Sequence, residues 1–201
     1  MWWQWAFSIP VSDSPLFDDT GADAYNGQSY SDLLFLCGTF SVIPLPNGIV
    51  IGEVTRSISV KRGTTFFFPL LNAENDNVGF GVPHLAGAAL FVVGASGLYA
   101  TLTPTKADFK KATGPTQDWG YQRLQSPVFS FTLPATDNLY QYFGVEVSGA
   151  VSPVVADGYY SFIPGTGSDA LAPGYYMLQF GGISPNGTFI EAITYHITVT
   201  P

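Results

Sequence analysis

Residues 193–200, ITYHITVT, decide the fold class. Every second residue of this stretch is apolar and the residues between are Thr or His, a period of two that predicts a β-strand with one buried side. Residues 54–60 and 129–133 alternate in nearly the same way. Strands of this kind need a second layer to cover their apolar side, so the sequence predicts packed sheets.

Other stretches are apolar on both sides of the strand. Residues 64–71, TTFFFPLL, contain three consecutive Phe residues, and residues 175–180, YYMLQF, have a similar character. Adjacent residues of a strand point to opposite faces, so we expect a second sheet on one face and loops or another subunit on the other. Pro69 restricts its strand to the edge or the end of a sheet, because proline has no N–H group to donate.

Turn-forming residues separate these strands along the whole chain, for example Pro-Asn-Gly at 46–48 and at 185–187. Many short strands with such spacing are typical of a two-sheet sandwich. The sequence therefore predicts an all-β, two-sheet sandwich or jelly-roll-like fold with one or two short helices, in which residues 1–201 form a single domain.

Local patterns give more detailed expectations. Residues 104–112, and residues 137–142 behind a Thr136 cap, favour short helices. Glycines and Ser96 interrupt the apolar run at 85–94 before it reaches the length of a membrane span, and we expect two short buried strands around the Gly-Ala-Ser-Gly turn at 94–97. Arg56 interrupts the inward-facing row of residues 54–60, which indicates a bulge, an edge or a paired charge.

The composition excludes some partners. Only 11% of the residues are charged and 15% are aromatic, and the net charge of −8 argues against a nucleic-acid partner. The charges are also segregated along the chain: five Asp residues precede the first basic residue, and three Lys residues lie within 106–111. This segregation indicates either electrostatic orientation of subunits or ordinary solvated loops.

Enzyme signatures are absent from the sequence. His84 and His196 belong to no metal-binding motif, and we expect His84 to have a structural role and His196 to lie on the exposed face of the last strand. The single cysteine, Cys37, follows an apolar run and is expected to be buried rather than reactive. A glycosidase needs two facing carboxylates, which the sequence cannot select. We therefore assign no catalytic residue and no cofactor.

Calcium is the one ion that the sequence favours. Residues 18–23 and residues 72–77 are rich in the hard oxygen ligands that Ca²⁺ prefers. Neither stretch has EF-hand spacing, and Asp and Asn are also common in turns. The candidate ligands are Asp18, Asp19, Asp23, Glu74 and Asp76.

Exposed aromatic side chains on a sandwich can stack on sugar rings. The candidates are Trp119, Tyr121, Tyr159 and Tyr160, of which Trp119 and Tyr121 fall in an expected loop. The alternative is that these residues belong to the core or to an interface. Asn186-Gly187-Thr188 is a glycosylation sequon that also has the sequence of a turn.

The N-terminal stretch Trp2-Trp3-Gln4-Trp5 can be a strand or a helix. In either conformation it is too short to span a bilayer, and we expect it to act as a structural lid on the sandwich.

Four segments resemble a family of bacterial proteins of unestablished activity, most of which carry export signals. The segments are WWQWAFSIP, FLCGTF, ISVKRGTTFFFPLLN and GYYMLQFGG…TYHITV, in this order. The resemblance is weak between about residues 80 and 155. It implies an exported β-rich domain, a short N-terminal helix and a small residue at the position of Cys37, and it implies no functional residue.

Three functions remain open from the sequence. The first is a non-enzymatic extracellular or surface protein that self-associates or belongs to a larger assembly, as apolar strand faces without a cover would require. The second is a carbohydrate-binding module, and the third is a hydrolase that uses carboxylates.

Overall fold

The computed structural model of the chain describes residues 1–78 and 85–201. His84, for which the sequence predicts a structural role, lies outside these residues. In the described part, eleven β-strands and three short α-helices follow one another, together with one 3₁₀ turn. They are α1 (Trp2–Phe7), the turn at Val11–Asp13, β1 (Leu33–Phe35), β2 (Val42–Pro44), β3 (Val50–Lys61), β4 (Thr65–Asp76), α2 (Leu85–Ala89), β5 (Ser96–Thr105), β6 (Gln117–Asp118), β7 (Gln122–Gln125), β8 (Phe129–Leu133), α3 (Leu139–Tyr142), β9 (Gly149–Ile163), β10 (Gly174–Ile183) and β11 (Phe189–Thr200).

The strands form two sheets. Sheet A has the order β1-β4-β9-β7, with β8 also paired to β9, and sheet B has the order β2-β3-β11-β10-β5-β6. The prediction of an all-β, two-sheet sandwich is confirmed, with three helices rather than one or two. Both sheets are mixed, since β1 runs parallel to β4 and β3 runs parallel to β11. The sequence did not predict these parallel pairs.

The inner core lies between the two sheets and follows from the alternation of their strands. Phe66, Phe68 and Leu70 of β4 face the alternating apolar residues of β3, β10 and β11. The rings of Phe68 and Phe180 lie 4.6 Å apart across the interface of the sheets. Phe67, between the two buried Phe residues, packs against the second apolar cluster instead, as the Phe-Phe-Phe run predicts.

That second cluster covers the outer face of sheet A. The stretch whose conformation the sequence left open is a helix, α1, and its Trp residues are buried there. Trp2 Nε1 donates to the carbonyl of Leu36 at 2.9 Å, and Trp5 Nε1 donates to the carbonyl of Asn26 at 2.9 Å. The helix is therefore a third layer on the sandwich, fixed by both apolar packing and hydrogen bonds.

Arg56 is buried in sheet B with 1% of its surface exposed. Its guanidinium group donates to the carbonyls of Asp18, Cys37 and Gly38 at 2.6–3.1 Å. It also donates to the hydroxyl group of Tyr195 at 2.9 Å. Because β2 pairs only with residues 50–52, Arg56 lies where β3 has a strand neighbour, β11, on one side only, which confirms the edge among the three alternatives. Carbonyl dipoles satisfy the buried charge, and in doing so they attach residues 18–38 to this edge of β3. Cys37 is buried as predicted, and burial raises the pKa of its thiol group.

Two of the detailed helix predictions have different outcomes. Residues 137–142 contain α3, but its cap is Asn138, whose side chain accepts from the N–H of Gln141, rather than Thr136. Residues 104–112 are not helical: β5 continues through Pro104, and the loop after it closes with a bridge between Thr105 and Ala112. Pairing with β10 overrides the local helical pattern there.

Of the two strands predicted around the turn at 94–97, the second is confirmed as β5, which begins at Ser96, and the first is wrong. Residues 85–89 form α2 instead, in which Gly87 lies close to the side chain of Asn75 on β4 and Ala88 is buried. None of the helices in residues 1–78 and 85–201 combines the length and the apolar character needed to cross a membrane. Pro69 lies within β4, where the register with β9 shifts, and not at the end of the strand.

Replacing Arg56 is expected to destabilise the fold. In the Arg56→Met variant the carbonyls of residues 18, 37 and 38 lose their donor in a buried site, which should lower the free energy of unfolding by about 3 kcal/mol. Urea denaturation measures this change. The matched control is Arg62→Met, at an exposed position, which should stay within about 0.5 kcal/mol of the unchanged protein. Equal stabilities of the two variants would contradict the role of Arg56.

Removing residues 1–9 should destabilise the whole fold, because it uncovers the apolar outer face of sheet A. Each Trp side chain contributes roughly 2–3 kcal/mol through burial. The thermal midpoint of the truncated protein, followed by circular dichroism, should fall by at least about 10 °C. An unchanged midpoint would show that α1 is dispensable.

Candidate functional site

The outer face of sheet A carries a groove of about 400 Å³, which we call the aromatic groove. One wall is formed by α1 and the opposite wall by residues 124–129, while β4 and β9 form the floor. All but three of its lining residues are apolar or aromatic; the three are Thr65, Gln125 and Ser126. The surface of the groove is thus suited to apolar contact.

The floor of the groove follows from strand register. Phe67 of β4 lies directly opposite Phe162 of β9, and Tyr160 points to the same face two residues before Phe162. The rings of Phe67 and Tyr160 stack with centroids 5.3 Å apart. Phe162 is 58% exposed and Leu124, on the neighbouring β7, is 45% exposed, so the rim of the groove presents apolar side chains to solvent.

The helical wall is rigid. The Trp2 ring meets the Trp3 ring edge-on at 5.0 Å, and Trp3 in turn packs on Phe7 at 5.1 Å. Trp3 faces the hydroxyl group of Tyr160, but its indole N–H does not reach hydrogen-bonding geometry. Burial raises the pKa of Tyr160 to about 12, so this hydroxyl group is protonated at neutral pH.

A second pocket of about 340 Å³ continues the groove along β9. The two pockets share Phe67, Leu124, Tyr160 and Phe162 as lining residues, which makes them one continuous surface. This part is more polar, since Gln122, Ser161 and Asp169 also line it.

The structure brings three of the four sugar-stacking candidates together. Trp119, Tyr121 and Tyr160 line the second pocket. Tyr159 lies on the other face of β9 and packs against the inner core, although its ring contacts Tyr121 edge-on at 5.9 Å. Tyr160 is almost buried and stacked on Phe67, so among the candidates Tyr121, 41% exposed, has the most accessible ring.

Sequence reasoning missed Trp3, Phe67, Leu124 and Phe162 as groove residues. Alternation in GYYSFI, residues 158–163, places Tyr160 and Phe162 on one face and could have indicated this part of the floor. Leu124 and Trp3 reach the groove only through contacts between segments far apart in the sequence, which no local sequence pattern indicates.

An ion pair fastens β7, and with it the rim of the groove, to β9. Asp157 accepts from Arg123 Nε at 2.9 Å and from Gln125 Nε2 at 2.9 Å. Burial alone would raise the pKa of Asp157, but the hydrogen bonds from Arg123 and Gln125 outweigh this effect and hold the pKa below its ordinary value. Above that pKa, the charged carboxylate keeps Leu124 over the groove.

Two of the calcium candidates Asp18, Asp19 and Asp23 form hydrogen bonds within their own loop. The carboxylate of Asp18 accepts from the N–H groups of Thr20, Gly21 and Asp23. The Asp23 carboxylate accepts from Asn26 Nδ2 at 3.2 Å, and the Asp19 side chain is exposed. Among residues 1–78 and 85–201, no group of three or more His, Cys, Asp or Glu side chains is placed to hold a metal ion.

The other two candidates, Glu74 and Asp76, lie near the end of β4. The hydroxyl group of Tyr140 contacts both carboxyl groups. Burial and the neighbouring Asp76 raise the pKa of Glu74 to about 8. A protonated carboxyl group beside a second one is the arrangement of an acid–base pair, but neither residue lines the aromatic groove.

Glu191 is a second carboxyl group with a raised pKa. Burial raises its pKa to about 8, against the opposing effects of the Thr39 N–H group, which donates to Oε1 at 3.2 Å, and of Arg56. Because Glu191 is largely protonated at neutral pH, Arg56 depends on carbonyl groups and not on this carboxylate for its compensation.

The stability of the protein should therefore fall as pH rises from about 5 to 8. The pKa values of Glu74 and Glu191 are raised in the folded state, so the folded state retains protons that the unfolded chain loses. Urea denaturation at pH 5, 6.5 and 8 measures the slope. The Glu74→Gln, Glu191→Gln double variant, which cannot ionise at these positions, should flatten it; an equal slope in the variant would refute the assignment.

Comparison of this chain with family models, with curated proteins and with solved structures returns no match. The function must therefore be argued from the geometry of the groove. Its side chains supply mainly aromatic and apolar surface, which is suited to binding.

Proposed function

We propose that this protein is a non-enzymatic, exported or surface-displayed β-sandwich that self-associates as part of an assembly, and that its copies pair through the aromatic groove. The exposed rim of the groove supports this proposal: Phe162 and Leu124 stand beside a concave apolar surface that one chain does not cover. The location outside the cytoplasm is supported by the resemblance to exported bacterial proteins and by the low charge content.

Side-chain packing is the favoured mode of association, rather than addition of strands at a sheet edge. The outer strands β1 and β2 have three residues each, β6 has two and β7 has four. These short strands offer few main-chain hydrogen bonds to another chain. The part of β3 beyond Gly52, which β2 does not cover, is bonded to an earlier segment of the chain, since the N–H of Ser57 donates to the carbonyl of Thr20 at 2.8 Å. The groove, in contrast, offers aromatic rings, which are enriched in the centres of protein interfaces.

The placement of Phe162 suits a symmetric pair. A protruding apolar side chain next to a pocket allows two copies related by a two-fold axis to exchange the same contact. Each Phe162 would then enter the groove of the other copy and cover Phe67 and Tyr160.

One observation favours sugar binding as a second candidate function. Tyr121 presents an accessible ring at the polar end of the groove, close to Gln122 and Asp169, and a ring flanked by hydrogen-bonding groups is what a sugar requires. A glycan array distinguishes the two functions: binding that Tyr121→Ala abolishes would support this candidate, and an array without binding would exclude it.

Pairing through the groove predicts a concentration-dependent mass. Sedimentation velocity in 0.5 M NaCl, between about 5 and 200 μM, should show a dimer that the Leu124→Ser, Phe162→Ser double variant converts to monomer. Salt at 0.5 M should not dissociate the dimer, because apolar contacts are not screened.

Leu90→Ser is the matched control, since Leu90 is exposed and lies outside the groove. It should dimerise like the unchanged protein. A monomer at all concentrations, or a dimer that the double variant leaves intact, would contradict the proposal.

A further inference from the structure

The cations of this acidic protein are gathered at one end of sheet B. Of its seven Lys and Arg residues, Arg56 is buried and Arg123 is paired with Asp157. The other five are exposed and make no ion pair with the described residues. We call them the cationic end: Lys61, Arg62, Lys106, Lys110 and Lys111.

Strand register brings these residues together from distant parts of the sequence. Lys61 ends β3 and pairs with Thr200 of β11, while Lys106 follows Thr105 of β5, which pairs with Tyr175 at the start of β10. The ends of β3 and β5 are separated only by β11 and β10, a distance of about 14 Å at ordinary strand spacing.

The loop that carries three of the cations has a fixed shape. The N–H of Lys106 donates to the carbonyl of Lys111 at 3.1 Å. Phe109, with a φ of 55°, stacks on the ring of His196 with centroids 4.4 Å apart. Tyr175, 39% exposed, meets Phe109 edge-on at 5.9 Å. The loop therefore combines cations with an aromatic platform, and it covers His196 on the outer face that the sequence predicted to be exposed.

A different surface carries an aromatic patch, which consists of Phe17, Phe40, Tyr142 and Phe143. The rings contact one another at centroid distances of 4.6–5.9 Å. Tyr142 and Phe143 are 56% and 57% exposed. Because β2 runs antiparallel to β3 and Val42 pairs with Gly52, Phe40 lies beside the first half of β3, roughly 23 Å along that strand from Lys61.

Acidic residues surround this patch. Asp19 follows Phe17 by two residues and Glu146 follows Phe143 by three, and both are exposed. Asp13 and Asp137 are also exposed and belong to segments joined by the bond from the N–H of Ser12 to Asp137 Oδ2. No basic residue belongs to the patch: the five unpaired cations lie at the cationic end, and the exposed Arg123 is paired with Asp157.

We infer that copies of this chain associate head to tail, with the cationic end of one copy bound to the aromatic patch of the next. The two surfaces are complementary in charge and both present aromatic rings, so an extended apolar contact is combined with opposite charges. Because the two surfaces are different, the contact is heterologous, and unless its rotation closes a ring it propagates into a linear assembly. This contact is distinct from the pairing proposed for the aromatic groove.

Two variants test the inference, both made in the Leu124→Ser, Phe162→Ser background so that pairing through the groove does not contribute. One carries Lys110→Glu and Lys111→Glu at the cationic end, and the other carries Tyr142→Ser and Phe143→Ser at the patch. The background protein should associate at 50 mM NaCl and weaken by at least about tenfold at 500 mM, since screening acts on this contact. Each variant alone should be monomeric.

Mixing the two variants is the decisive measurement. One retains the native patch and the other the native cationic end, so sedimentation velocity of the mixture should show 1:1 pairs and nothing larger. Circular dichroism confirms that both variants fold. A monomeric mixture, or a variant that still associates alone, would overturn the inference. So would a background protein that stays monomeric at 50 mM NaCl but binds an anionic polysaccharide through Lys110 and Lys111, since that would assign the cationic end to another partner.

Discussion

The buried guanidinium group of Arg56 is the constraint on which the rest of the structure depends. A charge without a counterion is unfavourable in a protein interior, and here three carbonyl groups and one hydroxyl group surround it. The carbonyls belong to residues 18–38, a segment with little regular structure of its own. Binding them to β3 fixes the course of this segment, so that β1 lies beside β4 and the carbonyl of Leu36, the residue after β1, accepts the hydrogen bond from Trp2.

The aromatic groove is a consequence of that arrangement. With β1 and residues 18–38 in place, α1 lies over the outer face of sheet A and forms one wall of the groove. The Phe-Phe-Phe run of β4 serves both layers at once, because Phe66 and Phe68 fill the inner core and Phe67 forms the floor of the groove. The same residues that stabilise the sandwich therefore create an apolar surface that a second copy can cover.

The sequence predicted the features that depend on local burial. It did not predict the features that depend on pairing between strands far apart in the sequence. Alternation identified β11, because the period of two reports directly which face is buried. It could not show that β11 runs parallel to β3, nor that pairing with β10 would keep Pro104 in a strand. Of the stacking candidates, Trp119, Tyr121 and Tyr160 meet in one pocket, while the strict alternation of β9 turns Tyr159 to the other face. The charge segregation was visible in the sequence, but only the strand register shows that Lys61 and Lys111 share one end.

In the proposed assemblies, aromatic rings provide the contact area and the separated charges set its direction. The central claim is that the protein forms assemblies and is not a dispersed monomer. Small-angle X-ray scattering of the unchanged protein at low salt tests it most directly. The account predicts that the forward scattering per unit concentration and the maximum dimension both rise with concentration. Scattering that stays at the mass of one chain across the whole series would contradict it.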